Sequence, residues 1–319
     1  MLTRAPKGPN NEDVDLCVRA AWLHYGAGLT QGQVAKRLGI PSLKAHRLIA
    51  RANKDGLVRF SIDGDISECL RLEDAVAARY GVKFCEVCPD LDDEALPLQT
   101  LGMAGSRFLR LALESGEDEV IGFGHGRTLA ACVAMLPKMN VGRVKLVSLL
   151  GGLTRRYSTT PFDVIHRLAE RTGAEAYVLP LPFYANSVED RAMFLAQRGV
   201  PAVMDLGIAA TLRVVGIGTM EAGASLLSTG MVEREEFEKA VRAGGAGEIL
   251  GHIFSLTGKL IENDLSARTL SMASAEIGRQ KTVAIAGGRS KVDPIKAILA
   301  SGLVHGLITD ERTAKALTA

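Results

Sequence analysis

The 319-residue sequence predicts an α/β protein in two parts, a small helix-turn-helix unit and a larger Rossmann-like unit. Three observations carry that expectation. Residues 1–60 are patterned as short helices and hold ten Lys or Arg against four Asp or Glu; the remainder holds 28 basic and 32 acidic residues. From about Arg71 short apolar runs recur, each followed by glycine and a helical stretch. Strands alternating with helices build a mostly parallel sheet covered on both faces. The chain is long enough for two domains and a large core. A basic head on a mildly acidic body points to a polyanion as the partner of the head and not of the body.

Residues 1–12 read as a flexible tail and 13–62 as a winged helix-turn-helix. Val14, Val18, Ala21, Trp22 and Tyr25 recur at helical spacing, so a first helix spans about 13–25. Thr30 with Gln33 forms a T-x-x-Q capping box that opens a helix over about 31–38. Gly39 can close it in a left-handed conformation. Ser42 offers the next cap, and a third helix runs to about Lys54, where Asp55-Gly56 stops it. "LVRFSI" (57–62) alternates as a strand and would be half of a wing. Two helices joined by a tight glycine turn are a helix-turn-helix. Lys44, Arg47 and Arg51 form one cationic stripe on the third helix, with His46 beside it, which suits the phosphates and guanine edges of a DNA major groove. Thr30, Gln31, Ser42, Lys44, His46, Arg47 and Arg51 are the candidate contacts to double-stranded DNA.

Residues 63–319 read as the larger domain. Seven runs are expected strands: 83–88, 119–124, 144–150, 175–181, 213–218, 282–287 and 306–310. The segment "STGMVEREEFEKAVRAGGAGEILGHIFSLTGKLI" reads as an insertion, a charged helix followed by a Gly-rich turn.

In a parallel α/β sheet ligands sit beyond the carboxyl ends of the strands. Four of those ends read "GFGHGRT", "GGLTRR", "GIGTM" and "AGGRSK". Glycines there let backbone N–H groups approach a ligand, and a following helix N-terminus attracts an anion. The expected ligand is a phosphorylated or otherwise anionic small molecule. The candidate residues are Gly124, His125, Gly126, Arg127, Thr128, Gly151, Gly152, Gly287, Gly288, Arg289, Ser290 and Lys291.

Other classes find less support. A dinucleotide site would follow Gly122, Gly124 and Gly126 with a further glycine and an acidic residue about 20 positions on, and both are missing. No Walker A loop, and hence no sign of a nucleotide cofactor, occurs. Cys85 and Cys88 stand three apart on an expected strand, so they point to opposite faces and make a poor metal pair. Five scattered cysteines, and a start without the apolar core of a signal peptide, lead to an expectation of reduced thiols and a cytoplasmic location. No apolar run approaches the ~18 residues of a membrane span.

Taken together, "AAWLHYGAGLTQGQVAKRLGI", "GFGHGRTL", "SLLGG", "VVGIGTM" and "VAIAGGRSKVDPIKAILASGLVHGLITDERTAKAL" resemble the SorC-type (SorC/DeoR-like) bacterial transcriptional regulators, from about Asp13 to Leu317. The resemblance implies a winged helix-turn-helix joined to an effector domain similar in fold to sugar-phosphate isomerases and CoA transferases. It implies a phosphorylated sugar or polyol effector and a homo-oligomer, dimer or tetramer. By position, it implies that Gly124, Gly126, Arg127 and Thr128 lie at the effector's rim. Gly151 and Gly152 would approach the effector with backbone, and Gly288 with Lys291 would hold its phosphate. His125 stands where many relatives carry an aromatic residue. The rival class is a sugar-phosphate isomerase-like enzyme with an added DNA-binding head, which would need an acid/base pair at the rim.

Overall fold

The computed structural model describes residues 9–58, 67–91, 96–153 and 164–319. The chain divides into two compact units, Met1–Asp65 and Ile66–Ala319.

In the first unit α1 (Pro9–Ala21) runs into a π-helical turn, Trp22–Gly26, and is followed by α2 (Gln31–Leu38) and α3 (Ser42–Lys54). The described part of the first helix thus reaches into the 1–12 segment read as a flexible tail. Its inward face is small: Cys17, Ala20 and Ala21 are buried with Val34, Ala45, Leu48, Ile49 and Ala52. Small residues let the three helices close on one another, so the bulkier members of the expected periodicity turn outward. Val18 is 45% exposed and Trp22 65%. The expected wing strand falls mostly outside the described residues, and Leu57 and Val58 are not in a strand.

The second unit contains β1 (Phe84–Cys88), β2 (Val120–Phe123), β3 (Lys145–Leu153), β4 (Glu175–Pro182), β5 (Leu212–Val215), β6 (Gly218–Thr219), β7 (Gly245–Ile249), β8 (His252–Ser255), β9 (Lys281–Ile285) and β10 (Gly306–Asp310). Seven of them form one parallel sheet in the order β1-β10-β9-β5-β2-β3-β4. Neighbouring residues feed opposite cores: Val214, Val283 and Ile308 enter one, Val215, Ala284 and Leu307 the other. That is why these strands read as continuous apolar runs. Fully buried Arg213 sits on central β5 and donates to Ile208 O at 2.8 Å, Glu276 O at 2.5 Å and Ile277 O at 3.2 Å. It thereby satisfies carbonyls at the ends of helices Val200–Ala209 and Ser274–Ile277.

The strand order reverses between β2 and β5. From β2 the chain steps outward through β3 and β4, then returns to lay β5 on the other side of β2. A crevice opens beyond the carboxyl ends at such a point.

Two expectations need correction. The run 213–218 is not one strand: β5 ends at Val215, and β6 joins β7 and β8 in a separate antiparallel sheet. Likewise the segment read as a Gly-rich turn is β7. Its glycine permits close packing, since a Cβ on Gly247 would stand 2.6 Å from Pro294 O on the helix Val292–Ala300.

Candidate functional site

On the head, local chemistry sets the presentation of α3. Thr30 Oγ1 accepts from Gln33 N–H at 3.4 Å, and Gln33 Oε1 accepts from Thr30 N–H at 2.8 Å, so the capping box is closed in both directions. Gly39 ends α2 at φ 66°. Ser42 is not a cap: Pro41 holds the extended N-cap position without a side-chain bond, and Ser42 is the first helical residue. Proline's fixed φ makes it a ready entry to the helix. Burying Ala45, Leu48, Ile49 and Ala52 leaves Ser42, Leu43, Lys44, His46 and Arg47 outward. Gln31 Oε1 lies 3.1 Å from His46 Nδ1 and ties the starts of the two helices together. Among the described residues Lys44 and Arg47 form no ion pair. Arg51 differs, for its Nε is 3.2 Å from Asp55 Oδ2 and its guanidinium 3.9 Å from Asp13. Leu43, 62% exposed, was not singled out from the sequence, yet an apolar tip there suits a thymine methyl.

On the body, a cavity of about 100 Å³ lies in the β2–β5 crevice. Gly124, His125 and Gly126 line it from the loop after β2, and Arg127 and Thr128 from the start of the helix that follows. Gly216, Ile217 and Thr219 come from beyond β5, Glu248 and Leu250 from the small sheet, and Lys291 from the loop after β9. Gly126 has φ 129°, which lets the chain turn abruptly into the helix Arg127–Met135 at the cavity edge.

Its electrostatics centre on two opposed groups. The Lys291 ammonium donates to Ile217 O. Burial brings its pKa down to about 8; Glu248 opposes the shift and Arg127 adds to it. Burial also pushes the Glu248 carboxyl above the usual carboxylate range, against a hydrogen bond from Gly251 N–H at 2.5 Å and the nearby Lys291 charge. An incoming anion would meet Lys291 and Arg127, while Glu248 is placed to accept from a hydroxyl.

The remaining candidates stand apart from the cavity. Gly151 donates to Leu270 O at 2.9 Å, and a Cβ there would collide with carbonyls of β4, so its size serves strand packing. Gly152 lies against the His125 ring. In the loop after β9 the Gly288 N–H is already taken by Asp310 Oδ2 and Thr313 Oγ1, both at 2.8 Å. A Cβ on Gly287 would strike the Asp310 carboxylate. These glycines therefore seat a buried carboxylate, and the Gly288 N–H is spent on it and on Thr313. Arg289 and Ser290 are exposed, in a 3₁₀ turn that precedes the helix. Lys291 alone of that loop reaches the cavity. Glu248, Leu250 and Phe183 were missed because their segments read as turn or strand, with no local sign of a site; Thr219 lies within the expected ligand-facing end "GIGTM" but was not singled out.

Among the described residues no cluster of His, Cys, Asp and Glu could hold a metal, and no helix is long and apolar enough to cross a membrane. Burial pushes the Cys85 thiol up to about 12 and raises Cys88 further, which keeps both protonated.

Comparison with known proteins gives these features a context. The sugar-binding domain family (Sugar-bind) matches residues 64–319. The erythritol catabolism regulatory protein EryD of Brucella abortus (strain 2308) is 54% identical over 305 residues, 96% of each chain. The transcriptional regulator LsrR of Enterobacter sp. (strain 638) is 31% identical over 96% of this chain and 93% of its own. The crystal structure of the full-length sorbitol operon regulator SorC from Klebsiella pneumoniae superposes with a TM-score of 0.72. It is 27% identical and covers 96% of this chain and 99% of that one. With a helix-turn-helix head, a seven-stranded α/β body and a match of this extent, the chain belongs to the SorC-type family of sugar-binding transcriptional regulators.

Proposed function

We propose that this regulator governs genes for catabolism of a short polyol and that its effector is a phosphorylated polyol bound in the β2–β5 cavity. The observation that carries the proposal is the pairing there of two cations, Lys291 and Arg127, with the hydroxyl-accepting Glu248. It gains support from the 54% identity to a protein named for erythritol catabolism. In this reading α3 enters the major groove of double-stranded operator DNA, with Lys44, His46 and Arg47 foremost and Thr30, Gln31, Ser42 and Arg51 around them. Two or more copies act together, and the cytoplasm is the site of action. The test is a fluorescence-polarisation titration of operator DNA, with and without erythritol 4-phosphate and unphosphorylated erythritol. The phosphate alone should change operator affinity. Equal responses to both compounds, or none to either, would refute the effector assignment.

A catalytic reading has one observation in its favour: a carboxyl held up beside an ammonium brought down is also an acid/base arrangement. The relatives are named as regulators, and we assign the pair to binding. Incubating the protein with erythritol 4-phosphate and following turnover decides the matter, since conversion would make the site an enzyme's.

A further inference from the structure

The turn joining β7 to β8 is only Leu250-Gly251, because Ile249 pairs directly with His252. Both residues have positive φ, 50° and 84°. Hairpins of that kind favour Asn or Asp before Gly, since a branched side chain is strained in the left-handed region. Among the described residues Leu250 is the sole non-glycine residue with positive φ. Several elements hold it there. Ser271 Oγ donates to Leu250 O at 2.7 Å, Gly251 N–H donates to the Glu248 carboxylate, and the Tyr184 hydroxyl lies 3.5 Å from Gly251 O. A strained residue so firmly fixed invites a functional explanation. Turn chemistry disfavours leucine here, and its buried side chain forms part of the cavity wall. It fills the space beside Gly124, where a Cβ would stand 3.3 Å from Leu250 Cδ2.

The wall has two characters. Arg127, Thr219, Glu248 and Lys291 offer polar groups; Leu150, Phe183, Leu226 and Leu250 offer hydrocarbon. A polyol carries a hydroxyl on every carbon, so each extra carbon brings a polar group that must find a partner. Against hydrocarbon, that hydroxyl loses its water and gains nothing. We infer that Leu250 is a specificity-determining residue, the wall that limits the effector's carbon chain to a short one. The inference rests on the polyol-phosphate reading above and adds its length limit.

Isothermal titration of the full chain with erythritol 4-phosphate, ribitol 5-phosphate and sorbitol 6-phosphate tests it, using wild type, Leu250→Ala and Leu250→Gly. Glycine accepts the positive φ, so the second variant retains the turn geometry. Wild type should bind the four-carbon compound about tenfold or more tighter than the six-carbon one, the scale of discrimination that small pocket differences provide. In the variants that preference should collapse to roughly threefold or less, or invert, through gained binding of the longer compounds. Equal binding of short and long compounds by wild type, which needs no variant to measure, overturns the length limit. An unchanged preference in the variants overturns the assignment of that limit to Leu250. Either result leaves the polyol-phosphate reading standing, whereas a wild type that binds none of the three removes that reading and the inference with it.

Discussion

Lys291 holds a charge that its surroundings resist, and this makes its contribution pH-dependent. Its pKa falls from 10.5 to about 8, chiefly through burial. Below about pH 8 the ammonium is present and attracts an anion; as pH rises through 8 it is lost, so affinity for a phosphate should decline. The folding linkage has the opposite sense. Between about 8 and 10.5 the unfolded chain binds more protons than the folded one, so the destabilisation carried below pH 8 is relieved as pH rises. Erythritol 4-phosphate titrations from neutral to alkaline pH should show this decline in wild type and a flatter profile in Lys291→Ala. At neutral pH Lys291→Ala should weaken binding ten- to a hundredfold, since a charge-assisted contact is worth roughly 1.5–3 kcal/mol. A response like wild type would move the phosphate elsewhere in the cavity. Lys291 was legible in the sequence because a cation follows paired glycines at a strand end. The use of Gly288 was not, because its N–H partner Asp310 lies 22 residues away in sequence and only the β10 junction brings it near.

Elements show the same division between local and distant information. All seven strands of the main sheet announced themselves as apolar runs, because a parallel strand is buried on both faces. The small sheet did not, because the glycines of β7 carry the chemistry of turns and only the packing of Gly247 on Pro294 O shows their purpose. In the head, caps are local signals: Thr30 with Gln33 and Gly39 were readable, whereas the choice of Pro41 over Ser42 as cap was not. Helix α3 yields a graded prediction. Lys44→Ala and Arg47→Ala remove exposed cations that form no ion pair among the described residues, so each should weaken operator binding. The loss should be ~1–3 kcal/mol if a base edge is contacted, or the salt slope should fall by about one if a phosphate is. Arg51→Ala should matter less, because Asp55 and Asp13 already engage that guanidinium. Affinity and salt slope unchanged in both Lys44→Ala and Arg47→Ala would place another surface in the groove. In the body, Arg213→Met keeps the bulk but strips partners from buried carbonyls. It should cost about 2–4 kcal/mol in denaturant unfolding, and a smaller loss would mean that the carbonyls find other donors.

At the scale of the whole molecule the charge is divided as the work is. Residues 1–60 are net basic and the remainder net acidic, so attraction to a polyanion belongs to the head. The cavity belongs entirely to the second unit. A single α3, only 13 residues long, can read no more than a half-site, and non-specific phosphate attraction would then rival its sequence preference. Joining two heads multiplies their discrimination and requires a spacing that each can reach from one face of the duplex. The chain should therefore be at least a dimer, assembled mainly through the larger unit, on an operator whose half-sites are about 10–10.5 base pairs apart or a multiple of that. Light scattering at micromolar protein, with and without erythritol 4-phosphate, measures the first claim. Inserting five base pairs between half-sites measures the second: half a turn puts them on opposite faces, and affinity should fall toward the non-specific level. A monomer under both conditions, or an operator indifferent to the insertion, would mean that each head acts alone and that specificity has another source.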